Sequence, residues 1–291
     1  MSREDLDSLV PTRDFSRRDF VRTAVGSGFA AAVLPVAAQT MVQTDTKGLV
    51  AGPVSIPVGS FRMPAYRAAP EGKQNPPVVL VVSEIFGVHE HIADVARRFA
   101  KQGYMAVAPE LFMRQGDVKN ITDVARIMGD VVNKVPDGQV LDDLDAAAAW
   151  AKSQGGDVSR LGITGFCWGG RIVWLYSAHT QALQAGVAWY GRLMGPTNPL
   201  QPQHPIDVAG KLHAPVLGLY GAKDQGIPLD SVDRMKTALA QGNAASRASQ
   251  FVVYPDAGHA FNADYRPSYQ REAAADGWAR CLAWFKANKV A

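Results

Sequence analysis

Three residues of this chain have the types, and the order, that acyl transfer requires. Cys167 sits in Gly165-Phe166-Cys167-Trp168-Gly169-Gly170, Asp224 ends Gly221-Ala222-Lys223-Asp224, and His259 follows Ala257-Gly258. A cysteine attacks as its thiolate, a histidine within reach takes the proton, and a carboxylate orients that histidine. Each residue also has a bland alternative: a packed small side chain, a turn or cap residue, and a satisfied loop histidine. Jointly, in nucleophile–acid–histidine order at the ends of three strand-like runs, the catalytic reading outweighs those alternatives.

The elements that must position these residues can be read around them. Arg160 to Thr164 reads as a strand and Arg171 to Ala178 as an apolar helix, so Cys167 falls on the turn between them. This is the G-x-nucleophile-x-G elbow of an α/β-hydrolase with cysteine in place of serine; small neighbours let strand and helix approach while the nucleophile is exposed. Pro215 to Gly221 runs into Asp224, and Gln250 to Pro255 runs into His259. Upstream, Val54–Val58 and Phe61–Tyr66 read as an antiparallel pair around Gly59-Ser60, and Val78 to Val82 as a strand buried on both faces.

Helical patterns cover His91–Lys101, Ile121–Val132, Val140–Ala151, Asp230–Ala240 and Tyr269–Lys286, with further strands at Tyr104–Ala108 and Ala185–Tyr190. The alternation predicts an α/β fold, a mostly parallel doubly wound sheet flanked by helices. In this fold the oxyanion is met by backbone N–H groups after the nucleophile and near an early strand, here Trp168 and Ile85. Gly191 to Leu212 is Pro-rich and irregular, as expected of a loop over a site entrance. Tyr190, before Gly191, either lines the pocket or packs in the aromatic core.

Composition narrows the partners. With 291 residues, 47% of them hydrophobic, the chain supports one large catalytic domain. The net charge of +3, with no basic run after the N-terminal region, argues against nucleic acid. Ser16-Arg17-Arg18-Asp19-Phe20, a short apolar run from Ala24 to Leu34, and Pro35-Val36-Ala37-Ala38-Gln39 form a basic region, an apolar region and a small-residue cleavage site with paired arginines. The expected organisation is a twin-arginine signal at 1–39, a linker at 40–52 and the catalytic domain at 53–291, exported to a periplasm. The apolar run is well short of a span, so no stable membrane span is expected after signal cleavage. The protein is expected to act as a monomer.

Only one other cysteine exists, Cys281. It shares a helical stripe with Trp278, Leu282 and Phe285, so a buried free thiol is favoured over a Cys167–Cys281 disulfide. His89-Glu90-His91 has no third ligand at a recognised metal spacing and reads as a polar helix start. No metal or cofactor is expected. His179, His204 and His213 read as surface residues.

Glu84-Ile85-Phe86-Gly87, the cysteine elbow, Gly221-Ala222-Lys223-Asp224 and Ala257-Gly258-His259-Ala260-Phe261 together resemble the motifs of the dienelactone hydrolase (carboxymethylenebutenolidase) family, from about Val54 to the C-terminus. The resemblance implies attack on a lactone or ester carbonyl and a thioester intermediate. It further implies that Glu84 restrains the resting cysteine until substrate redirects it, and that Arg114 holds a substrate carboxylate. A second family arginine is expected a few residues after the histidine, where this chain has Asn262; Arg266 is nearby but not aligned. That departure keeps a broader carboxylesterase or thioesterase open beside a hydrolase of small lactones or esters, while the triad argues against a non-catalytic periplasmic binding protein on the same fold.

Overall fold

The computed structural model describes residues 42–291; the expected signal at 1–39 lies outside them. Eight strands form one sheet: β1 (Leu49–Val58), β2 (Phe61–Pro70), β3 (Pro77–Val82), β4 (Met105–Pro109), β5 (Asp157–Phe166), β6 (Leu183–Trp189), β7 (Val216–Gly221) and β8 (Gln250–Tyr254). Their spatial order is β1-β2-β4-β3-β5-β6-β7-β8. β1, β2 and β4 pair antiparallel, and every pair from β4 through β3 to β8 is parallel. Among the described residues the longest helices are α1 (Glu90–Lys101), α2 (Asp137–Ser153), α3 (Trp168–His179), α4 (Leu229–Ala240) and α5 (Arg271–Ala287).

The sequence dictates the central layer directly. All six residues of β3 are buried, as expected of an unbroken aliphatic run covered by helices on both faces. On α5, Cys281 and Phe285 are fully buried, and Gly162 lies so close beneath Phe285 that an added Cβ would stand 3.2 Å from its ring. Both cysteines are free and buried. The chain reverses its winding direction between β3 and β5, and the crevice at such a switch point is where open α/β sheets bind ligands. Val82 pairs with Gly165 across those strands, so Glu84 and Cys167, each two residues further on, emerge side by side.

Two segments differ from expectation. The N-terminal hairpin is longer, because pairing continues back to Leu49 opposite Pro70; residues 49–52 of the expected linker are therefore strand. Ahead of it the backbone N–H groups of Val42 and Thr44 bond to Asp264 at 3.1 Å and Asp94 at 2.5 Å, which fastens that part of the linker to the domain. The helix expected at Ile121–Val132 is instead a single α-turn (Val124–Arg126), a π-helical turn (Ile127–Val131) and a 3₁₀ turn (Val132–Lys134). Gly129 and the adjacent β-branched Val131 and Val132 weaken a regular helix there.

Candidate active site

Cys167 is the residue between β5 and α3, and its backbone has a positive φ of +53° with ψ −113°. A non-glycine residue held there costs about 1–3 kcal/mol, so the surroundings must enforce it. They do: its N–H donates to the carbonyl of Trp189 at 3.0 Å. A Cβ on Gly165 would lie 2.3 Å from the carbonyl oxygen of Gly169, and one on Gly169 would lie 2.4 Å from that of Val82. Only glycine permits these approaches. Trp168 begins α3, so its N–H has no intrahelical acceptor, and Ile85, fully buried, lies three residues beyond the end of β3.

Asp224 and His259 come from the loops after β7 and β8, which are tied together by Lys223 N–H donating to Ala257 O at 2.9 Å. Nδ1 of His259 lies 2.7 Å from Oδ2 of Asp224, whose Oδ1 accepts from the N–H of Gly226 at 3.0 Å. Both side chains are buried. Burial alone would lower the basicity of His259, but the Cys167 sulfur and the Asp224 carboxylate outweigh it and push the ring up to about 10. Nε2 of His259 has no hydrogen-bond partner of ordinary geometry among the described residues, leaving it open toward the reaction site.

Cys167, His259, Trp168 and Tyr190 all line a cavity of about 550 Å³. Tyr190 serves both roles left open by the sequence: it is fully buried against Phe261, and its ring stands edge-on to His259 at 5.2 Å. Its hydroxyl and Nε1 of Trp168 are buried without partners among the described residues, so the cavity offers polar contacts to a ligand. The 191–212 loop supplies Gly195, Pro196, Thr197, Asn198 and Gln201 to the wall, as its position suggested. Arg171 and Arg192 add positive charge, and among the described residues lining the cavity there is no carboxylate. Arg171 is already engaged, donating to both oxygens of Asp137 at 2.7 Å.

Arg114, expected at the substrate, is placed elsewhere. It grips Asp143 through two bonds, of 2.5 and 2.7 Å, lies 4.3 Å over the Phe61 ring, and does not line the cavity. Glu84 is buried beside the elbow, but its Oε2 accepts from Tyr265 Oη at 2.7 Å and pairs with His89 Nε2 at 3.1 Å rather than meeting Cys167. Although burial would raise it, the His89 hydrogen bond and the charges of His89, Arg266 and His91 hold the Glu84 carboxyl down at about 2.

The histidines at 89 and 91 are thus not a solvent-facing helix start: both are buried, and His91 Nδ1 lies 3.0 Å from Asp264. His204 is also buried and bonded to the Pro196 carbonyl at 2.9 Å, whereas His179 and His213 are exposed. Tyr265 and Arg266 carry no motif signal, and only the loop's proximity to His259 hinted at them. Among the described residues no group of three or more histidine, cysteine, aspartate or glutamate side chains is arranged to hold a metal ion. No helix there is long and apolar enough to cross a membrane.

A mostly parallel sheet with a strained elbow after β5 and an acid and a histidine after β7 and β8 defines an α/β-hydrolase fold. The family model described as "Dienelactone hydrolase family" matches residues 63–289, and the chain belongs to that family, whose members are hydrolases acting on ester or lactone bonds of small molecules. It is 58% identical to the "Putative carboxymethylenebutenolidase" of Methylorubrum extorquens over 288 residues, covering 99% of this chain and 98% of that one. With the protein of the same name from Escherichia coli K12 the identity is 55% over 265 residues, 91% and 96% of the two chains. The crystal structure of a "Putative Dienelactone Hydrolase" from Klebsiella pneumoniae superposes with a TM-score of 0.79 at 56% identity, covering 82% of this chain and 98% of that one. An acylaminoacyl peptidase of Pyrococcus horikoshii, 15% identical with a TM-score of 0.64 over 83% of this chain and 42% of that one, shares the fold alone.

Proposed function

We propose that this enzyme opens a small lactone or ester of the carboxymethylenebutenolide type through a thioester on Cys167. The Cys167 thiolate attacks the carbonyl carbon, and the displaced electron pair rests on the oxygen, facing the N–H groups of Ile85 and Trp168. Collapse breaks the carbon–oxygen bond, and the leaving oxygen takes the proton from Nε2 of His259. Water then attacks the thioester as His259 accepts its proton, releasing the acid and the thiolate. Asp224 holds the ring through Nδ1.

The observation that carries this reading is the open Nε2 of a histidine anchored at 2.7 Å to Asp224, beside a cysteine held at φ +53° on the cavity wall. Arg192 in the cavity wall favours a substrate with an anionic group. A broader carboxylesterase or thioesterase is the second reading, favoured by the engagement of Arg114 with Asp143. A purely binding protein would leave the strained elbow without a purpose. From residues 16–39 we also infer periplasmic export by the twin-arginine route.

Cys167→Ala and wild type, assayed on dienelactone and on aryl esters, test the mechanism. Turnover is expected to vanish in the variant, and rapid quenching of wild type should leave an acyl adduct on Cys167 by mass spectrometry. Full turnover by the variant would sink the proposal.

A further inference from the structure

Four apolar side chains reach the cavity from three separate segments. Met128 and Val132 come from the π-helical and 3₁₀ turns that replace the expected helix, Met194 from the 191–212 loop, and Ile227 from the turn after Asp224. Met128, Val132 and Ile227 are each less than a tenth exposed. Of the three buried residues of the π-helical turn, Ile127, Met128 and Val131, only Met128 lines the cavity. Such turns often mark functional sites, because the extra residue re-aims the side chains around it.

The polar groups among these residues are engaged in holding the wall together. Gln201 donates its side-chain amide to the carbonyls of Val132 and Val135, at 3.2 and 3.3 Å. Oδ1 of Asn198 accepts from the N–H groups of Leu200 and Gln201 at 2.9 and 3.0 Å. Arg171, besides gripping both oxygens of Asp137, donates to the carbonyl of Gln203 at 2.6 Å, and the N–H of Asp137 donates to the carbonyl of Leu200 at 2.9 Å. These bonds clip the segment from Val132 to Asp137 to the loop from Asn198 to Gln203, so this wall is formed before a ligand arrives. What it then offers a ligand is chiefly apolar surface. The buried lining atoms without partners among the described residues belong to the catalytic histidine and to residues adjoining the elbow: Nε2 of His259, Nε1 of Trp168, and the hydroxyl of Tyr190, which follows the Trp189 that accepts the N–H of Cys167.

Resting on the reading of Cys167 as nucleophile, we propose that Met128, Val132, Met194 and Ile227 form an apolar subsite, that Met128 is its specificity-determining residue, and that the substrate is a lactone or ester carrying an apolar limb of several carbons beyond the reacting group. The cavity, about 550 Å³, falls within the ~300–1,000 Å³ range of sites that enclose drug-sized ligands, more than a lactone ring alone would fill. The unbranched thioether of Met128 adapts its shape to such a limb, and burying the limb removes its surface from water.

The full chain assayed on two ester series tests this: p-nitrophenyl esters from acetyl to hexanoyl, and acetate esters from methyl to hexyl. kcat/KM is expected to rise by about tenfold or more along at least one series, each methylene taken from water being worth up to about fourfold. Met128→Trp, which fills the subsite, should lower kcat/KM for the long ester of that series by about tenfold and leave the short one within about threefold of wild type. Met128→Gln, similar in shape but polar, should cut the long-to-short ratio by about fivefold, whereas Met128→Leu should preserve it. This second pair carries the test if Met128→Trp is poorly folded by circular dichroism. A wild-type gain below about tenfold in both series, or Met128 variants that slow long and short esters by the same factor, overturns the proposal. Loss of all turnover in Cys167→Ala beside such a result would remove only the subsite and leave the nucleophile standing; full turnover in Cys167→Ala beside such a result would remove both.

Discussion

Nδ1 of His259 and Oδ2 of Asp224 stand 2.7 Å apart in a site where both side chains are buried, and this one bond fixes which nitrogen of the ring faces the nucleophile. The two residues come from loops after adjacent parallel strands, so their meeting depends on the β7–β8 pairing and on the Lys223–Ala257 backbone bond. The sheet register does at long range what the elbow glycines do locally: it places a group whose conformation no short segment would hold alone.

Asp224→Asn should therefore lower kcat/KM by about 10²–10⁴-fold with little change in KM, because an amide does not favour the imidazolium and can hold the wrong tautomer. Steady-state kinetics with a neutral aryl ester measures it. A loss below about tenfold would mean that the ring is oriented by something other than Asp224.

The basicity of His259 has a definite sign. Its folded value, about 10, lies above the ordinary 6.5, so the charged ring stabilises the fold fully below about pH 6.5, and that contribution is lost as pH rises through about 10. Urea unfolding midpoints should fall between about pH 7 and about pH 10, and the fall should shrink in Cys167→Ala, where one of the two groups favouring the charge is gone. The alkaline limb of kcat/KM should lie near the same value. Equal pH slopes for wild type and Cys167→Ala would contradict this coupling.

Gly165→Ala should destabilise the protein by about 1–3 kcal/mol and lower activity beyond what that loss of stability explains. The added methyl would stand 2.3 Å from the Gly169 carbonyl oxygen and 3.1 Å from the Val173 side chain, forcing β5 and α3 apart at the nucleophile. Denaturation midpoints together with kcat at a temperature where both proteins are folded separate the two effects.

Much of this site was legible in the sequence because chemistry and steric necessity coincide in short motifs. The elbow around Cys167, the strand ends at Asp224 and His259, and the buried run of β3 all declare themselves locally. What stayed hidden depends on contacts between distant segments. His89 and His91 read as a polar helix start because nothing nearby shows that Glu84 and Asp264, the latter 173 residues from His91, turn both rings inward. Arg114 fits a carboxylate clamp by resemblance, yet Asp143, 29 residues on, takes its guanidinium. The hairpin boundary moved because β1 is extended by its pairing with β2, which propensity alone does not set.

The paired arginines Arg17 and Arg18 precede a short apolar run, and the pair is expected to direct export of the folded enzyme. Changing both to lysine keeps the charge and should strand the precursor in the cytoplasm. Fractionation followed by immunoblotting reads this out; unchanged export would refute the twin-arginine route while leaving the catalytic reading intact.

Arg192 and Arg114 should separate when tested on charged and neutral substrates. Arg192 lines the cavity with Cys167 and His259, and burial lowers its basicity, which a bound anion would offset. Arg192→Gln is expected to raise KM for a carboxylate-bearing ester by about tenfold, the effect of losing a charge-assisted hydrogen bond of about 1.5 kcal/mol, and to leave a neutral aryl ester nearly unchanged. Arg114→Gln should not discriminate between the two. It leaves the buried Asp143 carboxylate without its bidentate partner and should cost stability, on the order of 3 kcal/mol, with similar proportional effects on both substrates. If Arg114→Gln selectively impaired the carboxylate-bearing ester and Arg192→Gln did not, the anion would bind near Arg114, which would require Asp143 to release that guanidinium when substrate enters.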